Sequence, residues 1–412
     1  MENKTTRTNL IVFVAIVLVV CSFGGGVAVG HFLPLGTTPE LSATSTATSG
    51  SQGGTPSDLQ SLFAPFWQAW SIVHTYYVDQ PVDNTKLMQG AINGMVNALG
   101  DAHTNFWTMD EYNQFMAQLN AQYAGIGAYV DVSGKLLTIK KPITSDTPAA
   151  KAGLQAGDQV VGIDGKDVTS LDPETVHQMV LGDAGTQVTL TILRPGQSKT
   201  FDVTITRAVI TIPTVTSKML DNNIAYIQLT DFGPNTAQDL HTQLQTLMAQ
   251  NPKGIILDLR YNGGGYLDSG IAVASEFISS GVVVYQQAGD GTKTPYQAKP
   301  GGLATGSTPM IVLVNGETAS AAEIVSGAIQ DTGRGILLGE KTYGKGTVQT
   351  MVPLDNNQGV MHITIARWLT PKGRQIDKLG LTPDDPVTMT TDDINAGRDP
   401  QLDAAVQKLL NP

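Results

Sequence analysis

Two apolar segments restrict the fold of this chain more than any other feature. Ile255–Leu259 and Met310–Val314 are nearly continuous apolar runs, and such runs are typical of strands buried on both faces of a sheet. Residue spacing predicts helices before, between and after them, over Thr236–Ala249, Leu267–Ser279 and Ser320–Gln330. Strands that alternate with helices indicate an α/β core.

A different pattern precedes this core. Between Tyr123 and Arg207, short runs such as Leu136–Ile139 and Thr186–Leu193 alternate or are wholly apolar, and glycine-bearing turns separate them. A single helix is predicted over Pro173–Leu181. The segment therefore reads as a small β-rich module.

The region before the module is predicted to be helical. Five apolar residues between Leu87 and Leu99 mark a second helix that ends at Gly100, and a third is predicted over Met109–Leu119. The first helix carries an aromatic stripe, whose members recur at three- and four-residue steps. We expect core packing rather than ligand binding from the stripe: Phe63, Phe66, Trp67, Trp70, Val73 and Tyr77.

An apolar run near the N-terminus determines the predicted compartment. Asn9–Gly30 contains 22 residues and no charge, which suffices for a helix to cross a hydrocarbon core of about 30 Å. Lys4 and Arg7 precede the run, whereas residues 31–60 contain no Lys or Arg. The positive-inside bias therefore places residues 1–8 in the cytoplasm, a transmembrane anchor over 9–30, and the rest outside.

Residues 31–57, rich in Ser, Thr and Gly, are expected to form a flexible linker. The alternative to an anchor is a cleaved signal peptide with Ala28-Val29-Gly30 as its cleavage site, although the run is longer than a signal peptide needs.

Composition excludes several classes of protein. The formal net charge of -11 disfavours nucleic acid as a partner, because phosphate binding needs clustered Lys and Arg. The single cysteine, Cys21, lies in the apolar N-terminal run. The folded part therefore offers no disulfide, thiolate zinc site or cysteine nucleophile. No HExxH motif is present either, and we expect neither a metal nor a cofactor.

Ser320 is a candidate nucleophile. It follows the strand Met310–Val314, small residues surround it, and an amphipathic helix starts there. The positive end of a helix dipole would lie near an oxyanion formed at this serine. The alternative is that Ser320 only caps the helix.

Lys345 is the candidate base. No GxSxG motif is present. His241 and His362 belong to the α/β region, but neither lies in a recognisable motif. A buried lysine is another known base. Glycines flank Lys345, and their lack of a side chain would let the chain approach the nucleophile closely. If the following residues form a strand, Gln349 points to the same face and can hold the amine.

Two further segments have alternative interpretations. Gly339–Thr347 matches the GxxxxGK pattern of nucleotide-binding loops. Such a loop opens a helix, whereas the residues up to Pro353 look extended.

Asp258–Gly265 follows a buried strand and contains three glycines, whose amides suit an oxyanion hole, although such a turn also occurs with no function.

Taken together, these segments resemble the C-terminal processing peptidases, also called tail-specific proteases. The resemblance covers roughly Leu62 to Leu410, and the usual Asp-Pro-His-Ser of the family is altered at Asp101–Thr104. Lys345 lies 25 residues after Ser320, which is the family spacing. The segments that carry the resemblance are Gly94–Thr104, Tyr123–Ala128, Asp258–Gly265, Ala319–Ile324, Lys345 with Gln349, Gly380–Asp384 and Asp399–Leu402.

The resemblance implies a fold and an organisation. It implies an α/β peptidase core of mixed sheets with helices, of the crotonase and ClpP type, over 209–412. A β-rich PDZ domain would be inserted over 121–208, and an N-terminal helical cap would cover 58–120. The C-terminal segment would pack on the cap.

The resemblance also implies roles for particular residues. Ser320 would be the nucleophile, Lys345 the general base and Gln349 its orienting partner. The amides of Ala321 and Gly264 would form the oxyanion hole. The amides of a PDZ loop would bind the carboxylate of an incoming C-terminus, and that loop consists of Gly125, Ile126, Gly127 and Ala128.

The predicted function is therefore a serine endopeptidase that acts through an acyl-enzyme on proteins selected by their C-terminal tails. The expected partners are protein or peptide substrates with free C-termini and, through the N-terminal helix, a lipid membrane. The expected location is extracytoplasmic, at a bacterial cell surface or in a periplasm, and a homo-oligomer is compatible with the sequence. The alternative is a non-catalytic PDZ scaffold that delivers substrates to another protease.

Overall fold

A computed structural model describes residues 55–411. The predicted tail and anchor, and most of the predicted linker, lie outside these residues. In the described part of the chain, no helix combines the length and the apolar character that crossing a membrane requires. The described elements fall into an N-terminal region, a β-rich module and a larger core.

The N-terminal region is mainly helical. Asp83 caps the second helix, and Thr108 with Glu111 forms a capping box at the start of the third. The elements are α1 (Gln60–Tyr76), α2 (Asn84–Asn97), β1 (Asn105–Trp107) and α3 (Met109–Leu119).

The aromatic stripe on α1 was predicted to be core, and this prediction is wrong. None of the residues of α1 is buried; Phe63 is 38% exposed and Trp67 is 50% exposed. The aromatic rings contact one another, with Phe66 and Trp67 centroids 5.0 Å apart. The helical period of the stripe correctly indicated one face of a helix, but most of that face is exposed in the described part of the chain.

The β-rich module has its own core. Its sheet has the strand order β3-β4-β5-β7-β8, with β6 paired to β5, and β2 pairs with β9 in a separate ribbon. Alternate residues of β7 are buried, as the alternating pattern predicted. The elements are β2 (Gln122–Gly125), β3 (Ala128–Asp131), β4 (Thr138–Pro142), α4 (Pro148–Lys151), β5 (Gln159–Ile163), β6 (Lys166–Asp167), α5 (Pro173–Val180), β7 (Gln187–Leu193), β8 (Phe201–Thr206) and β9 (Ala208–Thr211).

The core contains two sheets. The elements of its first half are β10 (Val215–Leu220), β11 (Ile224–Leu229), α6 (Thr236–Met248), β12 (Gly254–Asp258), α7 (Leu267–Ser275), β13 (Val282–Ala288) and β14 (Lys293–Gln297). Those of its second half are β15 (Met310–Val314), α8 (Ala321–Thr332), β16 (Ile336–Gly339), β17 (Thr347–Pro353), β18 (Val360–Leu369), β19 (Asp385–Pro386), α9 (Thr391–Asn395) and α10 (Pro400–Leu410), with a 3-10 turn over Asp355–Asn357.

The six-stranded sheet has the order β10-β11-β12-β15-β16-β19 and is parallel from β11 onward. Every residue of β12 and β15 is buried, which confirms that these apolar runs are interior strands.

The five-stranded sheet joins the core to the N-terminal region. Its order is β1-β18-β13-β14, and β17 also pairs with β18. The edge strand β1 is antiparallel to β18, with Asn105 opposite His362. The chain segment just before β1 is therefore held beside β18.

The C-terminal helix does not pack where the resemblance placed it. Residues of α10 pack against β15 and β16, and Leu409 shares an apolar cluster with Ile224 and Ile311 of the six-stranded sheet. Buried Arg260 fixes its start, because the guanidinium donates to both carboxylate oxygens of Asp399 at 2.8 Å. This ion pair anchors the helix to the core sheet rather than to the cap.

Candidate active site

The predicted nucleophile segment and the glycine loop meet for a topological reason. They follow β15 and β12, which are adjacent parallel strands, so both loops leave the sheet at the same edge. The amide of Ala319 donates to the carbonyl of Asn262 at 2.9 Å. Thr318 Oγ1 also donates to the Leu259 carbonyl at 2.9 Å. The glycine loop is thereby fixed against the residue before Ser320.

Ser320 occupies a strained turn between β15 and α8. Its φ is 62° and its ψ is −117°, a conformation that residues other than glycine rarely adopt. The residue is 1% exposed, and its Oγ is buried with no hydrogen-bond partner among residues 55–411. The hydroxyl therefore does not cap the helix, although the backbone of Ser320 lies at the N-cap position.

Glu323 links the nucleophile segment to the base segment. One carboxylate oxygen, Oε2, accepts hydrogen bonds from the amides of Ser320 and Lys345, each at 2.9 Å. The two amide nitrogens are therefore no more than twice 2.9 Å apart. The other oxygen, Oε1, accepts from Thr342 Oγ1 at 2.6 Å and from the Gly344 amide at 2.8 Å. Four donors thus converge on one buried carboxylate.

The protonation of Glu323 depends on two opposing effects. Burial raises the pKa of its carboxyl to about 7, although the four hydrogen bonds oppose this by favouring the ionised form. The side chain is completely buried. A proton on this carboxyl would compete with one of the four donors, so the link between Ser320 and Lys345 is sensitive to pH.

Lys345 is completely buried. Burial disfavours a charged ammonium, which suits a residue that has to accept a proton. Trp368 Nε1 donates to the Lys345 carbonyl at 2.9 Å and holds the backbone at this point.

The glycines on either side of Lys345 serve a purpose other than the predicted one. We expected them to allow close approach to the nucleophile. A Cβ on Gly346 would instead lie 2.5 Å from the Asp377 amide nitrogen, and a Cβ on Gly344 would lie 2.7 Å from that of Gly380. The glycines let the segment around Lys345 pack against residues 376–380.

Gln349 lies on β17, next to a register shift between Val348 and Gln349, and is completely buried. Its Nε2 donates to Thr347 Oγ1 at 2.7 Å and to Thr364 Oγ1 at 3.1 Å. Its Oε1 is buried with no hydrogen-bond partner in the described part of the chain. The amide group therefore presents a free acceptor beside the base segment.

The predicted oxyanion-hole residues also come together. A Cβ on Gly264 would lie 2.7 Å from Ser320 Cβ and 3.0 Å from the Ala321 amide nitrogen, so the glycine is required for this approach. Ala321 begins α8, where the first amides have no acceptor within the helix. The Gly264 amide, however, donates to Asn262 Oδ1 at 2.9 Å in this conformation.

The predicted PDZ loop connects β2 to β3. Gly127 has a φ of 79°, and a Cβ there would lie 2.6 Å from Thr147 Cβ. Ile126 is 4% exposed and packs into the core of the module. Burial raises the pKa of Tyr123, although hydrogen bonds from the amides of Gly127 and Ala128 to its hydroxyl oppose this. The Tyr123 hydroxyl therefore lies near two of the amides predicted to bind a carboxylate.

Three alternative chemistries can be compared with the structure: a nucleotide-binding loop, a histidine base and a metal site. Lys345 is followed by strand β17 rather than by a helix, which is incompatible with a nucleotide-binding loop. His241 pairs with Glu276 at 2.7 Å, and His362 stacks on Trp107 with ring centroids 4.4 Å apart. Among residues 55–411, no group of three or more His, Cys, Asp or Glu side chains could hold a metal.

Comparison with known proteins agrees with this geometry. Residues 223–387 match the model of peptidase family S41, residues 141–194 match a PDZ domain, and residues 28–112 match the N-terminal domain of the activating protease CtpB. The carboxy-terminal-processing protease of Bartonella bacilliformis is 37% identical over 326 residues, which cover 78% of this chain and 74% of that protein. The carboxyl-terminal-processing protease of Synechocystis sp. is 33% identical over 351 residues, which cover 83% of this chain and 81% of that protein.

The chain belongs to peptidase family S41. It is a serine protease with a PDZ domain, and the alternative of a non-catalytic scaffold is not favoured. A putative S41 protease from Bacteroides fragilis has the same overall fold, with a TM-score of 0.53 and 14% identity over 84% of this chain and 97% of that one.

Sequence reasoning missed a central residue of this S41 peptidase. Glu323 was regarded only as part of the nucleophile motif, yet its carboxylate holds both Ser320 and Lys345. The signal was present, because Ser320 and Glu323 have the S-x-x-E spacing of a capping box. Only the Glu323 half of that box is formed here, which leaves the serine hydroxyl available.

Proposed function

We propose that this S41 peptidase hydrolyses peptide bonds with Ser320 as nucleophile and Lys345 as general base. The observation that carries the proposal is the shared hydrogen-bond acceptor, Glu323 Oε2, which holds the backbones of both residues. A buried hydroxyl with no partner and a fully buried lysine fit these roles.

The reaction follows from this assignment. Lys345 removes the proton of the Ser320 hydroxyl as Oγ attacks the carbonyl carbon of the scissile bond. The tetrahedral intermediate collapses as Lys345 returns the proton to the leaving amine, and an acyl-enzyme remains. Lys345 then activates water, which attacks the ester and releases the new carboxyl terminus. Gln349 orients the amine through its free Oε1.

We assign stabilisation of the oxyanion to the amides of Ala321 and Gly264. Ala321 contributes the positive end of the α8 dipole. Gly264 would exchange its bond to Asn262 Oδ1 for one to the oxyanion, so substrate binding and completion of the oxyanion hole are coupled.

Single-residue variants test this mechanism. Ser320→Ala and Lys345→Ala should each abolish cleavage of a short unstructured peptide while the urea-unfolding midpoint is preserved. The double variant should be no worse than either single variant, because members of one catalytic unit are not additive. Wild-type turnover in Lys345→Ala would rule out the lysine base, and His362 would be the next candidate.

We propose that substrates are chosen by their C-terminal tails, as the names of the relatives suggest for those proteins. The PDZ loop over Gly125–Ala128 would bind the carboxylate, which would displace the Tyr123 hydroxyl. The pocket beneath the loop has a volume of only about 10 Å³. This is close to the least that holds one water, so the pocket has to open for an apolar side chain.

The test compares one protein substrate with a free and with an amidated C-terminus. Tail binding raises the local concentration of the scissile segment, so kcat/KM should be higher for the free form. Equal values would refute carboxylate recognition. Substitution of Gly127 is a poor test, because its side chain would collide with Thr147 and disturb the module itself.

We propose an extracytoplasmic location, with the predicted helix over Asn9–Gly30 as membrane anchor. The support is the uncharged run and the charge bias around it. The mature protein should sediment with membranes and should begin upstream of Asn9. An N-terminus at His31 would instead indicate a cleaved signal peptide.

We also propose a homo-oligomer formed through α1. The support is the exposed apolar face of this helix, which includes Leu62 at 71% and Trp67 at 50% exposure. Light scattering should give a mass above that of one chain, and Leu62→Glu should lower it. A monomeric wild-type protein would refute this.

A further inference from the structure

The nitrogen of the Gln349 amide is held by two threonine hydroxyls, Thr347 Oγ1 and Thr364 Oγ1. A hydroxyl can donate as well as accept, so these contacts alone do not determine which end of the amide faces them. If the amide turned over, its nitrogen rather than its oxygen would face the base segment. Something beyond the threonines must therefore fix its direction.

That additional group is Asp101, which lies in the loop between α2 and β1. Its Oδ2 accepts from Thr104 Oγ1 at 2.7 Å, and its Oδ1 accepts from the His103 amide at 3.0 Å. The Thr364 amide donates to Thr104 Oγ1 at 3.1 Å. The carboxylate thus lies beside the strand residue that holds Gln349.

The charge of Asp101 supports the same arrangement. Burial by itself would raise its pKa, but hydrogen bonds from the side chains of Thr364 and Thr104 and from the His103 amide hold the pKa below its ordinary value. An ionised carboxylate can only accept hydrogen bonds. The single proton of the Thr364 hydroxyl then points to Asp101, and Thr364 Oγ1 has to accept from Gln349.

His103 lies in the same loop, and burial lowers its pKa. The loop is held there because β1, which follows it directly, pairs with β18. A segment far from the catalytic residues in sequence therefore borders Thr364, the strand residue that holds Gln349.

We propose that Asp101 is a positioning residue that acts through Thr364 to direct the Gln349 amide oxygen toward Lys345. The inference rests on the proposed function, since it refines the role of Gln349. Neither Asp101 nor Thr364 is assigned contact with the substrate. Their effect is to keep Gln349 Nε2 on the threonines and its Oε1 on the reacting side.

The test uses variants that preserve shape. Asp101→Asn keeps an oxygen that accepts from the His103 amide. Its new NH₂ group, however, can donate to Thr364 Oγ1, and the Thr364 hydroxyl is then able to donate to Gln349. Thr364→Val removes the hydroxyl, whereas Thr364→Ser retains it. Asp290→Asn is a matched control, because Asp290 caps an exposed turn by accepting from the Thr292 amide.

With a short peptide as substrate, kcat should fall about tenfold to a hundredfold in Asp101→Asn and in Thr364→Val, a fraction of what a general base contributes. KM should be unchanged. Thr364→Ser and Asp290→Asn should stay within about twofold of wild type. The double variant of Asp101→Asn and Thr364→Val should be no slower than the slower single variant, because both act through one contact.

A pH profile separates positioning from mere structural support. An acceptor near an amine favours its protonated form, so loss of the Gln349 oxygen should move the acidic limb of kcat/KM to lower pH in Asp101→Asn. A merely unstable protein would lose activity without this movement.

Wild-type kcat and pH profile in Asp101→Asn would overturn the proposal. Equal losses in Thr364→Ser and Thr364→Val, or multiplied losses in the double variant, would do so as well. Cleavage by Ser320→Ala would instead refute the proposed function itself, so the two failures are distinguishable.

Discussion

The buried carboxylate of Glu323 allows a quantitative prediction about pH and stability. Burial raises the pKa of Glu323 in the folded protein from 4.5 to about 7. Because the folded pKa lies above the unfolded one, the folded state favours the protonated carboxyl. The contribution of this group to stability is fully present below pH 4.5 and is lost as the pH rises through 7.

Replacement of Glu323 by Gln removes this dependence, since the amide does not titrate. A shift from 4.5 to about 7 corresponds to about 3 kcal/mol, at roughly 1.4 kcal/mol for each pH unit. The free energy of unfolding of Glu323→Gln, measured relative to wild type, should therefore rise by about 3 kcal/mol between pH 4 and pH 8. A constant penalty of roughly 1–3 kcal/mol applies throughout, because the new NH₂ group cannot accept from the Gly344 amide.

The assay is urea unfolding at a series of pH values, followed by tryptophan fluorescence. Trp67, Trp70, Trp107 and Trp368 all lie outside the PDZ domain, so the signal reports the N-terminal region and the peptidase core. Burial also raises the pKa of Asp231 to about 7, but this group is the same in both proteins and cancels in the difference.

Parallel pH profiles for the two proteins would refute the reasoning. They would mean that the four hydrogen bonds onto Glu323 outweigh its burial and keep the carboxylate ionised. Activity gives an independent check. Glu323→Gln can keep its oxygen on the Ser320 and Lys345 amides, whereas Glu323→Ala cannot, so the alanine variant should lose more kcat.

Three further predictions concern single contacts. Gly264→Ala should lower kcat about 10²–10³-fold in steady-state assays, because its Cβ would lie 2.7 Å from Ser320 Cβ; normal turnover would contradict the close approach. Arg260→Met should lower the free energy of unfolding, measured in urea, by roughly 3–5 kcal/mol, because it leaves the buried Asp258 carboxylate without its cation. A decrease of less than about 1 kcal/mol would show that the ion pair does not anchor the C-terminal helix. Tyr123→Phe should tighten binding of a peptide with a free C-terminus about threefold to tenfold, measured by fluorescence polarisation. The hydroxyl would no longer compete with the carboxylate for the loop amides, and one hydrogen bond is worth roughly 1 kcal/mol. Weaker binding would show that the hydroxyl assists the carboxylate instead.

The local pattern of the sequence predicted the architecture well. Nearly continuous apolar runs predicted β12 and β15 as buried strands, and the predicted helix over Met109–Leu119 has the same bounds in the structure. The helix depends on contacts within its own segment, and the two strands are buried on both faces along their whole length. For that reason, composition and period are enough to predict them.

The sequence also placed Ser320, Lys345 and Gln349 as candidates, from local motifs and from their spacing. Their mutual arrangement depends on a contact that no spacing reveals. Glu323 Oε2 accepts from two amides 25 positions apart in the chain, and only the packing of α8 against the segment before β17 brings them together.

Tertiary structure alone decided what covers each surface. Helical period predicted that the α1 stripe forms one face, but not that this face is exposed. The motif at Asp399 predicted a C-terminal element, but its ion pair with Arg260 determined that α10 packs on the six-stranded sheet. The contact between Thr104 and Thr364 joins residues 260 positions apart. A sequence records which side chains are apolar or charged, whereas their partners are fixed only when distant strands and helices pack together.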